Sequence, residues 1–336
     1  MRIPLLKTMF PYEINPVDKS LQEELMSDFK GERNGYVQVG PKKWFFPAAY
    51  ADHAEKFYSY PIRQEDVWVV TYPRSGTIVM EELVWLIVHD LDFDGQARVS
   101  LDERFPFFEY TMLHDEEFNR DLWKLNNYEF EPLRKLAFWQ KPVYEMDLPS
   151  PRLVSTHLPY SLLPPALTKK CKSIYIARNP KDVSVSYYHQ NRLLKVFDFQ
   201  SDFEKYWGYF ENDLLTWSPY WEHLKEGWEQ RNNPNVLFIF YEDLRKDMTS
   251  CIKKVADFLG KELDDIQIKK LSNFLAIDNF RNYTKLHTIK GLTNVGEQGF
   301  IIEGKDGVHK EFSEHLNKRA DKWIKKNCNL TDFQFA

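Results

Sequence analysis

Four short runs of β-branched and aromatic residues stand out in the pattern of apolar and polar positions along the chain. They cover residues 67–72, 152–156, 173–178 and 236–241. Each run ends at a turn signal, and apolar residues at helical spacing follow at least three of them. This alternation of strand and helix predicts an α/β fold with a central parallel β-sheet flanked by helices.

Helices are predicted at residues 77–90, 180–191 and 249–259 from the same periodicity. The second has the clearest start, because Asn179 can cap it and Pro180 suits the first helical position. No internal repeat or low-complexity tract interrupts this order.

The chain of 336 residues contains no stretch that resembles a linker, so we expect one domain over residues 1–336 with a core at about 60–310. Hydrophobic residues make up 43% of the sequence and aromatic residues 16%, enough for a large core. The polar and aromatic stretch at about 105–150 is interpreted as an excursion over the mouth of a pocket, although an ordinary surface subdomain fits it equally well.

The composition argues against several classes of partner. A net charge of −5 without a long basic run disfavours a nucleic-acid partner. The three cysteines are too scattered for a disulfide framework or a zinc site, so we expect no metal and a reducing, cytoplasmic location. The longest apolar run is far shorter than a membrane span, which leads us to expect no membrane partner.

Four residues whose side chains suit ligand binding or catalysis follow the predicted strands. They are Arg74, His157, Arg178 and Tyr241. Open parallel sheets bind ligands beyond the carboxyl ends of their strands. The sequence therefore predicts one ligand site to which all four strands contribute.

The segment at residues 71–77, TYPRSGT, runs from a strand through a tight turn into a helix. Amide groups and the dipole at a helix start favour an anion, and Arg74 adds a fixed positive charge. The loop lacks the GxxxxGK[ST] spacing of an ATP-hydrolysing P-loop, so we interpret it as a P-loop-like phosphate-binding loop. Taken alone, an ordinary turn would explain it as well.

This loop resembles the TYPKSGTTW loop of the cytosolic sulfotransferases, and three further segments extend the likeness. They are STHLPYSLLP at 155–164, RNPKDVSVSYYH at 178–189 and VLFIFYEDL at 236–244. The order and spacing of these motifs agree over about residues 60–260, and more weakly to Lys310. By this resemblance the chain is identified as a member of the family that uses 3'-phosphoadenosine 5'-phosphosulfate (PAPS), compatible with a divergent member of invertebrate type.

The resemblance implies transfer of a sulfuryl group from PAPS to a hydroxyl or amine of a small, largely apolar acceptor, with 3'-phosphoadenosine 5'-phosphate (PAP) as product. It assigns catalytic positions to His157, as general base, and to Arg74 and Ser186. Arg74 stands where the family has a lysine, and its contribution is expected to be electrostatic only, because arginine is too basic to donate a proton.

The resemblance also implies two sets of contacts. Cofactor contacts are expected from Arg74, Ser75, Gly76, Thr77, Ile78, Val79, Arg178, Ser186, Tyr241, Phe274, Phe300 and Gly304. Acceptor contacts are expected from Tyr50, Phe107, Phe108 and His157, for a phenol, steroid, retinoid or other alcohol. The excursion at 105–150 would then cover the acceptor pocket.

The sequence departs from the family pattern at several positions. Val79 replaces a tryptophan that stacks on adenine, and Ile302 and Glu303 replace an Arg-Lys pair that completes the 3'-phosphate site. Ser155 replaces a lysine that often precedes Thr-His in the family. The C-terminal dimerisation pattern is not recognisable after Lys310, which leaves the oligomeric state open, with a homodimer as one option.

Three other functions fit parts of the sequence. A sulfotransferase-fold protein that binds nucleotide or an apolar ligand but transfers poorly would explain Val79 and the altered late motif. A P-loop kinase or related NTPase would need a Walker lysine, where the chain has Arg74. A Golgi sulfotransferase is disfavoured by the lack of a membrane anchor in the sequence.

Overall fold

The computed structural model describes residues 10–113, 116–127, 141–276, 292–294, 311–333 and 335. Within these residues the strands form two sheets. The central sheet has four parallel strands in the order β5-β4-β6-β7. A second, antiparallel sheet has the order β1-β2-β3. The strands are β1 (Ile14–Pro16), β2 (Tyr36–Val39), β3 (Trp44–Pro47), β4 (Val67–Thr71), β5 (Leu153–Thr156), β6 (Lys172–Ala177) and β7 (Val236–Phe240).

Helices connect and cover the strands throughout the described residues. They are α1 (Lys19–Asp28), α2 (Tyr50–Tyr58), α3 (Thr77–Val88), α4 (Phe93–Arg98), α5 (Leu101–Arg104), α6 (Glu116–Leu125), α7 (Leu167–Lys170), α8 (Pro180–Leu193), α9 (Phe203–Glu211), α10 (Tyr220–Glu229), α11 (Tyr241–Lys246), α12 (Met248–Leu259), α13 (Asp265–Phe274) and α14 (Glu314–Asn327). Short 3₁₀ turns lie at Tyr110–Leu113, Val143–Glu145 and Tyr160–Leu162.

The predicted parallel sheet flanked by helices is confirmed, and each predicted strand matches within one residue at either end. Tyr241 differs in kind, because it is the first residue of α11 rather than the end of a strand. The helix predicted to reach Asp90 ends at Val88, since Asp90 and the residue after it have left-handed backbone.

The antiparallel sheet was not predicted from the sequence. Its first strand has only three residues, and every residue of β3 is buried. Strand β3 therefore shows no alternation of apolar and polar positions by which it could be recognised.

Both faces of the central sheet are covered by apolar side chains, as expected for parallel strands. Trp68, Val70 and Tyr175 belong to a core shared with the antiparallel sheet and with helices α2, α8, α9 and α10. Val69 and Ile174 face the opposite core, which contains α3 and α12. Side chains of successive residues in these strands therefore point into opposite cores.

The start of the predicted excursion runs along the free edge of β5. The N–H of Ser155 donates to the carbonyl of Pro106 at 3.1 Å, and the N–H of Phe108 donates to the carbonyl of Ser155 at 2.8 Å. Residues 106–108 therefore extend the pairing of the sheet by one short segment. This pairing brings the following turn close to the carboxyl end of β5.

Strand register aligns the carboxyl ends at which the site residues lie. Val70 of β4 is opposite Thr156 of β5 and Tyr175 of β6, and Ala177 is opposite Phe240 of β7. The segments that follow the four strands consequently leave the sheet at one edge. This is the edge at which the sequence predicted a ligand site.

Candidate active site

The loop between β4 and α3 has the strand, turn and helix geometry that the sequence predicted. Arg74 has φ of +67° and Gly76 has φ of +110°, in the left-handed region that favours glycine. A Cβ atom on Gly76 would lie 2.6 Å from Cδ2 of Tyr241. Glycine is required here because of the backbone angle and because the Tyr241 ring packs directly against it.

Two arginines meet at this loop. Nε of Arg74 donates to the Ser186 hydroxyl at 2.9 Å, and Nη1 of Arg178 donates to the carbonyl of Arg74 at 2.9 Å. Burial, followed by the charge of Arg178, lowers the pKa of Arg74 to about 10, which still leaves it charged at neutral pH. An anion bound between these two cations would be strongly favoured.

Arg178 is held in place by an aromatic ring. Its guanidinium lies 4.3 Å from the centre of the Tyr241 ring, and its carbonyl accepts a hydrogen bond from Tyr220 Oη at 2.5 Å. The buried Nε of Arg178 makes no hydrogen bond within the described residues.

The remaining described cofactor positions lie in different environments. Ser75 is buried in the loop, and its hydroxyl has no hydrogen-bond partner within the described residues. Ile78 and Val79 pack at the edge of the apolar core, as does Tyr241. Phe274 packs edge-to-face on Phe93 at 5.1 Å. Phe300 and Gly304 lie outside the described residues, as do the altered positions 302 and 303.

His157 follows β5 directly and faces the same loop. Its Nδ1 lies 2.8 Å from the carbonyl oxygen of Thr71 and 3.0 Å from the Thr71 hydroxyl, which in turn is 2.7 Å from the hydroxyl of Thr77. A carbonyl oxygen only accepts hydrogen bonds, so Nδ1 carries the proton and Nε2 carries the lone pair. Burial lowers the pKa of His157 to about 3, which keeps the imidazole neutral at physiological pH.

Two aromatic rings flank the imidazole. The Phe107 ring lies 4.9 Å from it, and the Trp217 ring lies 5.0 Å from it nearly at right angles. The surroundings of the lone pair are thus largely apolar, which suits a site that excludes water around a proton acceptor.

Buried side chains also bind the backbone of His157 on both sides. The His157 N–H donates to Oε1 of Glu109 at 2.6 Å, and the His157 carbonyl accepts from Nε2 of His223 at 3.0 Å. Burial raises the pKa of Glu109 to about 7. Sequence reasoning missed both residues. The available signal for Glu109 was an acid enclosed by aromatic residues in FPFFEY.

The three aromatic residues predicted to line the acceptor site lie in different environments. Phe107 faces His157, whereas Phe108 is fully buried and packs on Trp68 at 4.9 Å. Tyr50 is also fully buried and stacks on Phe46 at 4.3 Å. The structure therefore brings only Phe107 of these three directly to the imidazole.

A small surface pocket, open to solvent, lies near the turn that follows Glu109. None of its lining residues was singled out from the sequence. They are Gly31, Glu32, Arg33, Asn34, Ala49, Met112, Leu113, Phe118 and Val196. Tyr110 connects this region to the active site, because its ring lies 6.0 Å from that of Phe107.

The described part of the chain contains neither a cluster of metal-binding side chains nor a helix suited to crossing a membrane. No group of three or more His, Cys, Asp or Glu side chains is arranged to hold a metal ion within the residues that the structure describes. Among the helices described above, none combines the length and apolar character needed to cross a membrane.

A family model described as the sulfotransferase domain matches residues 64–332. This chain belongs to the sulfotransferase family. The resemblance carried by the four sequence motifs is thereby confirmed. This sulfotransferase is 34% identical over 318 residues to the luciferin sulfotransferase of Photinus pyralis, which covers 89% of this chain and 81% of that relative.

Two solved structures of a retinol dehydratase are similar to this sulfotransferase over nearly the whole chain. One is a complex with androsterone and the inactive cofactor PAP, and the other is a complex with retinol and PAP. Each has a TM-score of 0.88 and covers 97% of this chain, with 98% and 99% of the respective structure covered. Sequence identities are 37% and 36%.

The geometry of the phosphate loop gives a first testable prediction. Gly76→Ala should destabilise the protein by about 1–3 kcal/mol, because alanine is strained at this φ and its Cβ would collide with Tyr241. Gly208→Ala is the matched control, since Gly208 lies in helix α9 and a Cβ there meets nothing within 4 Å. We expect the control to stabilise by about 0.5–1 kcal/mol. Equal unfolding midpoints in urea for the two variants would contradict this description of the loop.

Proposed function

We propose that this sulfotransferase transfers a sulfuryl group from PAPS to the hydroxyl of a small, largely apolar acceptor and releases PAP. One observation carries the proposal. A neutral imidazole, that of His157, is hydrogen-bonded through Thr71 to the start of a phosphate loop that holds two adjacent arginines. A proton acceptor and an anion site are thus joined by a short chain of hydrogen bonds.

The donor would bind across the loop and the start of α8. Arg178 and Ser186 would hold the 3'-phosphate, since a guanidinium offers a fork of donors and the hydroxyl adds another. The amides at residues 75–79 and Thr77 would hold the 5' side, where the helix dipole favours negative charge. The PAP present in the solved structures of retinol dehydratase supports this choice of donor.

The acceptor oxygen would attack sulfur in line with the leaving phosphate. As the new oxygen–sulfur bond forms, the acceptor proton passes to Nε2 of His157, and the bond between sulfur and the 5'-phosphate oxygen breaks. The released negative charge stays on that phosphate, where Arg74 and the loop amides stabilise it. Arg74 needs no proton transfer for this task, since its charge persists at neutral pH.

Several features support an apolar acceptor. Phe107 and Trp217 flank the imidazole with aromatic rings. Similar solved structures contain retinol and androsterone, and a similar enzyme is named for luciferin. We therefore favour an alcohol or phenol with an extended apolar body.

The reaction is proposed to take place in the cytoplasm. Cys171 and Cys251 are free and buried, as is common in reducing compartments.

The second candidate function is a protein of this fold that binds nucleotide without efficient transfer. Val79 favours it, because this side chain packs against the apolar core at the position where the family has an adenine-stacking tryptophan. Loss of one stacked contact would cost about 1–3 kcal/mol of nucleotide affinity. Binding of PAP with no transfer to any acceptor would support this function.

The direct test is transfer from labelled PAPS to a panel of phenols, steroids, retinol and other alcohols. We expect a labelled ester with at least one class, and His157→Ala should lower turnover at least about 100-fold while leaving PAP affinity within about twofold. The exposed His315 offers a control, His315→Ala, that should change neither. Retained turnover in His157→Ala would remove His157 as the base. Retinol products should also be analysed for loss of water, given the similarity to a retinol dehydratase.

Nucleotide binding has its own test. Arg178→Ala should weaken PAP binding at least tenfold, because a charge-assisted hydrogen bond contributes about 1.5–3 kcal/mol. Arg231 is a matched control, since its guanidinium also lies 4.3 Å from an aromatic ring, that of Trp228. Arg231→Ala should leave the affinity unchanged. Calorimetry that gives the same affinity for both variants would contradict the role of Arg178.

A further inference from the structure

We propose that Glu109 is a positioning residue for the active-site imidazole, fixing the backbone of His157 and the indole of Trp217 beside it. This inference rests on the proposed role of His157 as the base.

Glu109 connects the end of β5 to Trp217. Its Oε1 accepts from the His157 N–H at 2.6 Å and from Nε1 of Trp217 at 3.0 Å, and its Oε2 is 2.6 Å from the hydroxyl of Thr156. The residue is fully buried. A carboxyl group with three short contacts in a dry environment has little freedom to move.

The position of β5 in the sheet explains why the N–H of His157 needs a side chain as its hydrogen-bond acceptor. β5 is an edge strand, so alternate N–H groups face away from β4. The outward N–H of Ser155 is bound by the backbone carbonyl of Pro106. Two residues later the backbone segment has turned away, and the carboxyl group of Glu109 receives the corresponding N–H of His157.

The other groups of His157 are already fixed. Its carbonyl accepts from His223, whose Nδ1 is 2.7 Å from the hydroxyl of Tyr175, and its Nδ1 donates to Thr71. Glu109 supplies the contact on the remaining side of the backbone. Glu109 also holds the indole of Trp217, which flanks the imidazole. One carboxyl group therefore orients both His157 and the aromatic ring beside it.

Hydrogen bonding, rather than charge, accounts for this role. In the structure the Thr156 hydroxyl donates to Oε2, while Oε1 accepts from His157 and Trp217. If Glu109 is protonated, the contact with Thr156 reverses, so that Oε2 donates and the hydroxyl accepts, and Oε1 keeps its two donors. Glutamine can reproduce that arrangement, with its carbonyl at Oε1 and its amide directed at the Thr156 hydroxyl. Aspartate keeps the charge but withdraws the oxygens by one methylene. The two conservative variants therefore separate position from charge.

We expect Glu109→Gln to keep kcat within about threefold of wild type and Glu109→Asp to lose at least about tenfold, since displacement of a reacting group by about 1 Å costs up to about 100-fold. PAP affinity of both variants should stay within about twofold, which shows that the fold and the phosphate loop are intact. A merely structural role would lower the unfolding midpoint of Glu109→Asp without changing kcat. That result, or the reverse order of the two variants, would overturn the proposal.

A second measurement does not depend on turnover. In protein labelled with ¹⁵N-histidine, the His157 signal is assigned by comparison with His157→Ala, in the presence of PAP. Wild type and Glu109→Gln should share the signature of the Nδ1–H tautomer, and Glu109→Asp should show a mixture of tautomers. An unchanged signal in Glu109→Asp would overturn the inference. If wild type transfers no sulfuryl group to any acceptor, the proposed function fails, while this spectrum still tests Glu109.

Discussion

The hydrogen bond from Nδ1 of His157 to the carbonyl of Thr71 joins the two halves of the candidate active site. It connects the end of β5 to the end of β4, the strand from which the phosphate loop departs. One bond thereby selects the tautomer of the imidazole and fixes its distance from the loop. The parallel register of the strands makes this bond possible, because it brings residues 86 positions apart to the same edge.

The second constraint is electrostatic. Arg74 and Arg178 are brought together where burial already disfavours charge, as the lowered pKa of Arg74 reflects. Their backbone and hydroxyl contacts hold the guanidinium groups in place, and the Tyr241 ring packs on one of them. Negative charge from a ligand would offset the cost of holding two cations in this position. Two cations held in place in this way form a candidate site for a phosphorylated or sulfated molecule.

Much of this site could be predicted from the sequence, because its signals are local. Strand, turn and helix follow one another within residues 67–88, and Asn179 caps the helix that follows Arg178 as expected. The side chains that orient His157 could not be predicted in this way. Glu109 and His223 are 48 and 66 residues away from it, and Trp217 lies 108 residues from Glu109. Only the folded chain brings these residues together.

The orientations of Phe107 and Phe108 also could not be predicted from the sequence. Both lie in FPFFEY, and a sequence alone does not specify which ring faces the site. Pairing of residues 106–108 with β5 settles the matter, since neighbouring side chains on an extended segment point in opposite directions. Phe107 consequently meets His157, while Phe108 packs on Trp68.

The two arginines are proposed to form a site for a nucleotide with phosphates at both the 3' and 5' positions. Calorimetric titration of the full chain with PAP and with adenosine 5'-monophosphate tests this site, since the two ligands differ only in the 3'-phosphate. With two charge-assisted hydrogen bonds at about 1.5–3 kcal/mol each, PAP should bind at least about 100-fold more tightly. Equal affinity for the two nucleotides would contradict the account.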